Sequence, residues 1–191
     1  MLDDAPAVTQ PVEQRRERLL RIITDKALSR GGSYRLASGS TSGFYFDIKP
    51  VAFDPEGSRL IADAILDALE GEHVDYVGGL ELGAIPITAS VVERSFGRKP
   101  VAGFFVRKSP KERGTKKLIE GNLEPGANVA LVEDVTTTGG SVLRAVEAVR
   151  ELGCTVTKVV TVVDRLEGAR ENLSKHGLEL VALFTRDDFI R

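Results

Sequence analysis

Apolar and polar positions alternate along this chain with two periods, and the switches between them mark out its elements. From residue 12 to 29, Leu19, Leu20, Ile22, Ile23 and Leu28 recur at helical spacing, with Arg15, Arg16, Arg18 and Lys26 on the other side. This pattern predicts a helix, and Gly31 and Gly32 are placed to end it. Residues 34–47 read as a hairpin, with strands over 34–37 and 44–47. Asp54 and Pro55 form an N-cap pair for a helix whose buried stripe is Leu60, Ile61, Ala64, Ile65 and Leu69. Asp63, Asp67 and Glu70 fall on its wet face. A short strand over 76–79 leads through a glycine-rich turn to a helix over about 87–96.

Continuous apolar runs at 101–106 and 129–132 predict buried strands, and 156–163 is a β-branched one. Between the last two, Val142, Ala145, Val146, Val149 and Leu152 form a helical stripe that Gly153 stops. A helix over about 167–176, a strand over 179–184 and a polar exit at Arg186, Asp187 and Asp188 complete the chain. The repeating β-α-β order predicts an α/β fold with a mostly parallel, open, twisted sheet and helices on both faces. Ligands in such sheets bind beyond the C-terminal ends of the strands. The unusual residues of this chain sit there: 79–86, 107–111, 133–141 and Asp164-Arg165.

Composition narrows the class. The chain has 191 residues, enough for one domain with a substantial core, and a formal net charge of −2. Nothing in that balance points to nucleic acid or to an anionic membrane. The single cysteine, Cys154, excludes an internal disulfide and reads as a small buried residue. No apolar run is long enough to span a bilayer. The acidic start, MLDDAPAVTQP, lacks the apolar region of a secretory signal and reads as a frayed end. These features predict a cytoplasmic protein.

Candidate chemistry concentrates after the strand at 129–132. Glu133 and Asp134 close it, and Val135, Thr136, Thr137, Thr138, Gly139, Gly140 and Ser141 lead into the helix. Backbone N–H groups at a helix N-terminus, with four hydroxyls beside them, make an anion cradle. The loop has no lysine and is not a P-loop. Carboxylates repel phosphate, so the acid pair makes sense if the ligand also brings hydroxyls or a bound metal, as a sugar phosphate or a magnesium diphosphate does.

The second concentration is residues 107–117, RKSPKERGTKK, with six cationic residues against one acid. Pro110 and Gly114 argue against a helix. A solvated loop, a nucleic-acid contact and a lid carrying charge to a diphosphate all fit the composition. The nucleic-acid reading lacks interleaved aromatics. Lys49 stands just after the hairpin, either facing the site or solvated. His73 and His176 have no metal-ligand spacing.

The VEDVTTTGGS run, residues 132–141, resembles the 5-phosphoribosyl 1-diphosphate (PRPP) motif of the type I phosphoribosyltransferases, and its spelling is most similar to the orotate branch. LASG followed by TSGFYFD resembles that branch's N-terminal hood, and GLELGAIP its diphosphate turn. RK-x-x-K-x-x-G resembles its catalytic loop, with Arg107, Lys108 and Lys111 matching residue by residue. The likeness runs from about residue 34 to 165. Arg113 stands where that family carries a histidine, which removes a titratable group and keeps a positive charge. Ala37 stands where some members carry an orotate-contacting lysine, and Gly83 where some carry a lysine in the diphosphate turn, so that turn would hold diphosphate through its backbone.

The resemblance implies a hood over about 12–50 and a PRPP-binding core over about 51–191. It implies that Glu133 and Asp134 hold the ribose hydroxyls, that residues 136–141 hold the 5′-phosphate with Val135 also in the PRPP-binding set, and that Thr137 and Arg165 bind orotate. Arg107, Lys108, Lys111 and Arg113 would neutralise the departing diphosphate, with Lys108, Arg107, Lys111 and Asp134 as the catalytic set. Mg²⁺ would arrive on PRPP, with no direct protein ligand. A homodimer sharing the basic loop between subunits is implied as well. Two other readings stand beside this one: transfer to another base, and a PRPP-binding regulator without activity.

Overall fold

Successive residues of the central strand bury on opposite sides, because both faces of the sheet are covered. Val129 and Leu131 join one apolar cluster, and Ala130 and Val132 the other. This explains the unbroken apolar run: a strand enclosed on both sides has no polar face to present. The computed structural model describes residues 11–35, 41–110 and 117–190.

The main sheet has six strands: β3 (Tyr76–Gly78), β4 (Ala102–Val106), β5 (Ile119–Gly121), β6 (Asn128–Thr136), β7 (Thr155–Asp164) and β8 (Leu180–Thr185). Their spatial order is β5-β4-β3-β6-β7-β8, parallel throughout except for β5, which runs antiparallel to β4. On one face pack α1 (Val12–Lys26), the short α2 (Lys49–Ala52), α3 (Pro55–Ala68) and α4 (Ala84–Ser95). On the other pack α5 (Gly140–Glu151) and α6 (Ala169–Ser174). This is the mostly parallel, helix-flanked α/β sheet that the pattern predicts. The N-terminal hairpin, β1 (Leu28–Arg35) with β2 (Thr41–Phe46), forms a separate two-stranded antiparallel sheet.

The expected elements are present, with shifted limits. The first helix ends at Lys26 and not at residue 29, and Leu28 already pairs with Phe46. Gly31 and Gly32 lie inside β1, where the register shifts between Arg30 and Tyr34. A glycine pair relieves an irregular strand as readily as it stops a helix. The strand read as 129–132 runs on to Thr136, so the acid pair belongs to β6 and not to the loop. Asp54 caps α3 as expected, accepting from the Glu56 and Gly57 amides.

Asp63 is a correction. It is 3 % exposed and lies among Arg94, Arg98 and Arg59 at 2.9, 3.3 and 3.9 Å. Its position on the helix wheel looked wet because two of those arginines come from α4 and the segment after it, not from its own helix. The two-strand β5 edge and the turn of 3₁₀ helix at Arg186–Phe189 were not foreseen; the latter closes with a reciprocal Thr185–Asp188 cap. Among the described residues, no helix is long and apolar enough to cross a membrane.

Candidate functional site

At the C-terminal end of β6 the chain leaves the sheet and enters α5 without a side-chain cap. Gly139 is the N-cap residue with φ +82°, the left-handed region that a side chain rarely adopts. A Cβ there would also sit 3.3 Å from the Leu173 side chain of α6. The uncapped first turn leaves its N–H groups directed at whatever occupies the loop. A cavity of 440 Å³ opens here, lined by Glu133, Thr136, Thr137, Thr138, Ser141 and Arg144 among others. Asn172 donates to the Thr138 carbonyl at 3.0 Å and ties the loop to α6.

Two atoms in this cradle are buried without a hydrogen-bond partner among the described residues: Glu133 Oε2 and Thr136 Oγ1. Buried polar atoms are ordinarily satisfied, so an orphaned pair at a cavity marks a place where a ligand supplies the bonds. Burial pushes the Glu133 carboxyl well above the usual glutamate value, and the Asp134 charge adds to the shift; the positive charge of Lys108 pulls the other way. A protonated or hydroxyl-bonded Glu133 beside a more exposed Asp134 is a pair suited to gripping a diol.

Asp134 is closely packed. Its Oδ1 accepts from the Val135 amide at 2.8 Å, and Lys49 Nζ stands 3.8 Å from its Oδ2. A Cβ on Gly83 would lie 2.4 Å from Asp134 Cγ, so glycine at 83 gives the carboxylate its room. Lys49 therefore faces the site, the first of the two alternatives the sequence left open. It also bonds Asp47 at 2.9 Å, and that bond, with Asp134 nearby, raises its pKa. Hard oxygen donors at Glu133 and Asp134 suit ribose hydroxyls or the water shell of a magnesium ion carried on a substrate.

The glycine-rich turn of residues 79–86 and the start of the basic segment are hydrogen-bonded to one another. Glu81 N donates to the Val106 carbonyl, and Val106 N to the Gly79 carbonyl, both at 2.8 Å. Glu81 Oε1 accepts from the Lys108 amide at 2.8 Å. The Glu81–Leu82 peptide is cis. Arg107 lies 3.8 Å from Glu120, and its amide donates to the Leu118 carbonyl at 2.8 Å. Lys111 and Arg113 lie outside the described residues, as does Ala37.

At the end of β7, Arg165 is only 3 % exposed. Its Nε bonds Glu167 at 3.0 Å, its Nη1 reaches the Phe44 carbonyl at 3.4 Å, and its guanidinium lies 5.9 Å from the Phe46 ring centre. Its backbone amide donates to the Thr136 carbonyl at 2.9 Å. The hairpin, β7 and the cradle thus meet at this arginine. Asp164 is buried and fully engaged, accepting from Arg170 and from the amide of Leu166, which has φ +58°. The sequence reading missed Glu81, Glu167 and Asn172. For Glu81 a signal existed, a carboxylate inside a turn otherwise shaped for an anion. Glu167 and Asn172 carried none.

Comparison with known proteins agrees with this geometry. Residues 53–183 match the phosphoribosyl transferase domain. An orotate phosphoribosyltransferase of Rhodopseudomonas palustris (strain BisB5) is 47 % identical over 181 residues, spanning 92 % of this chain and 96 % of its own. One from Methanocaldococcus jannaschii is 46 % identical over 171 residues, covering 90 % and 94 %. The crystal structure of Mycobacterium tuberculosis H37Rv orotate phosphoribosyltransferase in complex with PRPP superposes with a TM-score of 0.76 at 30 % identity, covering 92 % of each chain.

Proposed function

The chain belongs to the phosphoribosyl transferase family, and from that premise we propose that it is an orotate phosphoribosyltransferase, a pentosyltransferase of pyrimidine biosynthesis. It moves the 5-phosphoribosyl group of PRPP to orotate, giving orotidine 5′-monophosphate and diphosphate. The observation that carries this reading is the cradle itself: buried Glu133 Oε2 and Thr136 Oγ1 without partners among the described residues, beneath an uncapped helix start. A ribose 5-phosphate brings hydroxyl donors for the acids and phosphate oxygens for the amides of 136–141.

In this reading Glu133 and Asp134 hold the ribose hydroxyls, and Thr136, Thr137, Thr138, Gly139, Gly140 and Ser141 hold the 5′-phosphate. Orotate lies against Arg165 and Thr137. Its carboxylate enters beside Glu167 at the guanidinium, whose planar fork suits a carboxylate. The bond between C1′ and the diphosphate oxygen breaks through an oxocarbenium-like state, the bond from C1′ to orotate N1 forms, and the proton of N1 leaves with the departing diphosphate. Asp134 stands beside the ribose as positive charge grows on it. Arg107 and Lys108, with Lys111 and Arg113, take up the charge of the departing diphosphate. Mg²⁺ carried on PRPP would offset phosphate charge, with the carboxylates of Glu133 and Asp134 facing its water shell. The enzyme acts in the cytoplasm as a homodimer whose basic loops are exchanged between subunits.

The test is a direct assay with purified protein, Mg²⁺, PRPP and either orotate or a panel of purines. Diphosphate release with orotate is the expected result. Release with a purine and not with orotate overturns the base assignment, and release with neither overturns the enzyme reading.

A further inference from the structure

We propose that Glu81 is a positioning residue that sets where the basic segment leaves the sheet, by holding the main-chain amide of Lys108; this rests on the reading that Lys108 serves the departing diphosphate. Glu81 lies in the turn after β3, a glycine-rich turn suited to an anion. A carboxylate there repels an incoming diphosphate, so its presence needs a reason.

The hydrogen bonds supply one. β4 ends at Val106, whose N–H is taken by Gly79 and whose carbonyl is taken by the Glu81 amide. The Arg107 amide bonds across to the Leu118 carbonyl, just before β5. Lys108 is the next residue out, and its N–H is held at 2.8 Å by the Glu81 side chain. The ladder is thus extended by one residue through a side chain, and the Lys108 Cα is anchored to the diphosphate turn. Fixing the backbone at that point limits where the ammonium can reach, and catalysis by a positioned charge depends on its placement.

The arrangement also separates two effects by substitution. Glutamine keeps an acceptor oxygen and drops the charge, whereas alanine drops both. The experiment measures hydrogen exchange at the Lys108 amide and steady-state kinetics on the wild type, Glu81→Gln and Glu81→Ala. Glu81→Ala is expected to exchange the Lys108 amide about tenfold faster and to turn over about tenfold more slowly, as loss of one hydrogen bond to a carboxylate implies. Its orotate KM and its melting temperature stay at wild-type values. Glu81→Gln restores both exchange protection and turnover.

Wild-type exchange in Glu81→Ala overturns the proposal, and so does a Glu81→Gln that fails as alanine does. The exchange readout needs no turnover. If the Lys108 reading is the one at fault, protection still changes in Glu81→Ala while Lys108→Ala leaves turnover intact.

Discussion

The cradle at the end of β6 and the arginine at the end of β7 belong to neighbouring strands and differ in one physical respect. In the cradle, Glu133 Oε2 and Thr136 Oγ1 are buried with no partner among the described residues. At Arg165 the guanidinium is as deeply buried, yet Glu167 and the Phe44 carbonyl already engage it. One side has open bonds that a ligand can fill; the other already holds Glu167 at Nε and the Phe44 carbonyl at Nη1, and a carboxylate ligand would enter beside those partners. The cradle should therefore dominate binding energy for the sugar phosphate. The arginine should act mainly through selectivity, because a base without a carboxylate adds nothing to the partners it already has.

The largest effect expected tests a third region against both. Lys108→Ala should lower turnover about 100-fold or more, the scale for losing one preorganised charge at a departing group. PRPP affinity by calorimetry should change far less. Equal losses in turnover and affinity would show that Lys108 binds the ground state and adds nothing specific to the transition state.

Next in size is the cradle's own geometry. Gly139→Ala forces a side chain into φ +82° and toward Leu173. That conformation costs about 1–2 kcal/mol, so PRPP binding should weaken by roughly tenfold as the loop shifts. Orotate binding should weaken much less, since Arg165 stays in place and only Thr137 moves with the loop. If both ligands weaken equally, the two regions are not separable in the way their hydrogen bonds imply.

The same contrast explains what could be read from the sequence. The cradle lies in one contiguous stretch, so its acids, hydroxyls and glycines were visible at once, and the parallel sheet followed from apolar runs that alternate with helical stripes. Contacts made across the chain were not visible. Phe44 reaches Arg165 over 121 positions, and Glu81 reaches Lys108 over 27. Asp63 looked like a solvated helix acid because Arg94 and Arg98 are 31 and 35 positions away. Gly31 and Gly32 were ambiguous for another reason: local pattern does not distinguish a helix stop from a strand irregularity when both need glycine. The placement of Lys49 was open in the sequence for lack of its partner, Asp134, which arrives from β6.

A smaller effect is expected at the arginine. Arg165→Lys keeps the charge and loses the planar fork. The orotate KM should rise several-fold, up to about tenfold, with the PRPP KM unchanged. The buried pair with Glu167 makes stability a necessary control, and the melting temperature of the variant in the absence of substrates provides it. A rise in PRPP KM of the same size would mean that Arg165 supports the cradle, through its amide bond to Thr136, more than it recognises a base.

The smallest effect concerns the unliganded cradle, where the open bonds of Glu133 carry a stability term that depends on pH. Burial, with Asp134 nearby, raises its pKa above the ordinary 4.5 in the folded chain. The folded state then holds a proton that the unfolded state releases, so this contribution is fully present below about 4.5 and is lost as pH rises through the folded value. Glu133→Gln does not titrate. Melting temperatures of the two proteins without PRPP should agree most closely in acid and diverge upward in pH, with the variant becoming the more stable. Asp54, Glu56 and Asp188 have lowered values and act in the opposite sense, but they are common to both proteins and cancel in the difference. Saturating Mg²⁺-PRPP should narrow the divergence, since ribose hydroxyls give the carboxylate the bonds it lacks. Parallel curves with and without PRPP would mean that Glu133 is already satisfied in the empty enzyme, and the distinction between a cradle with open bonds and an already partnered arginine would fail with it.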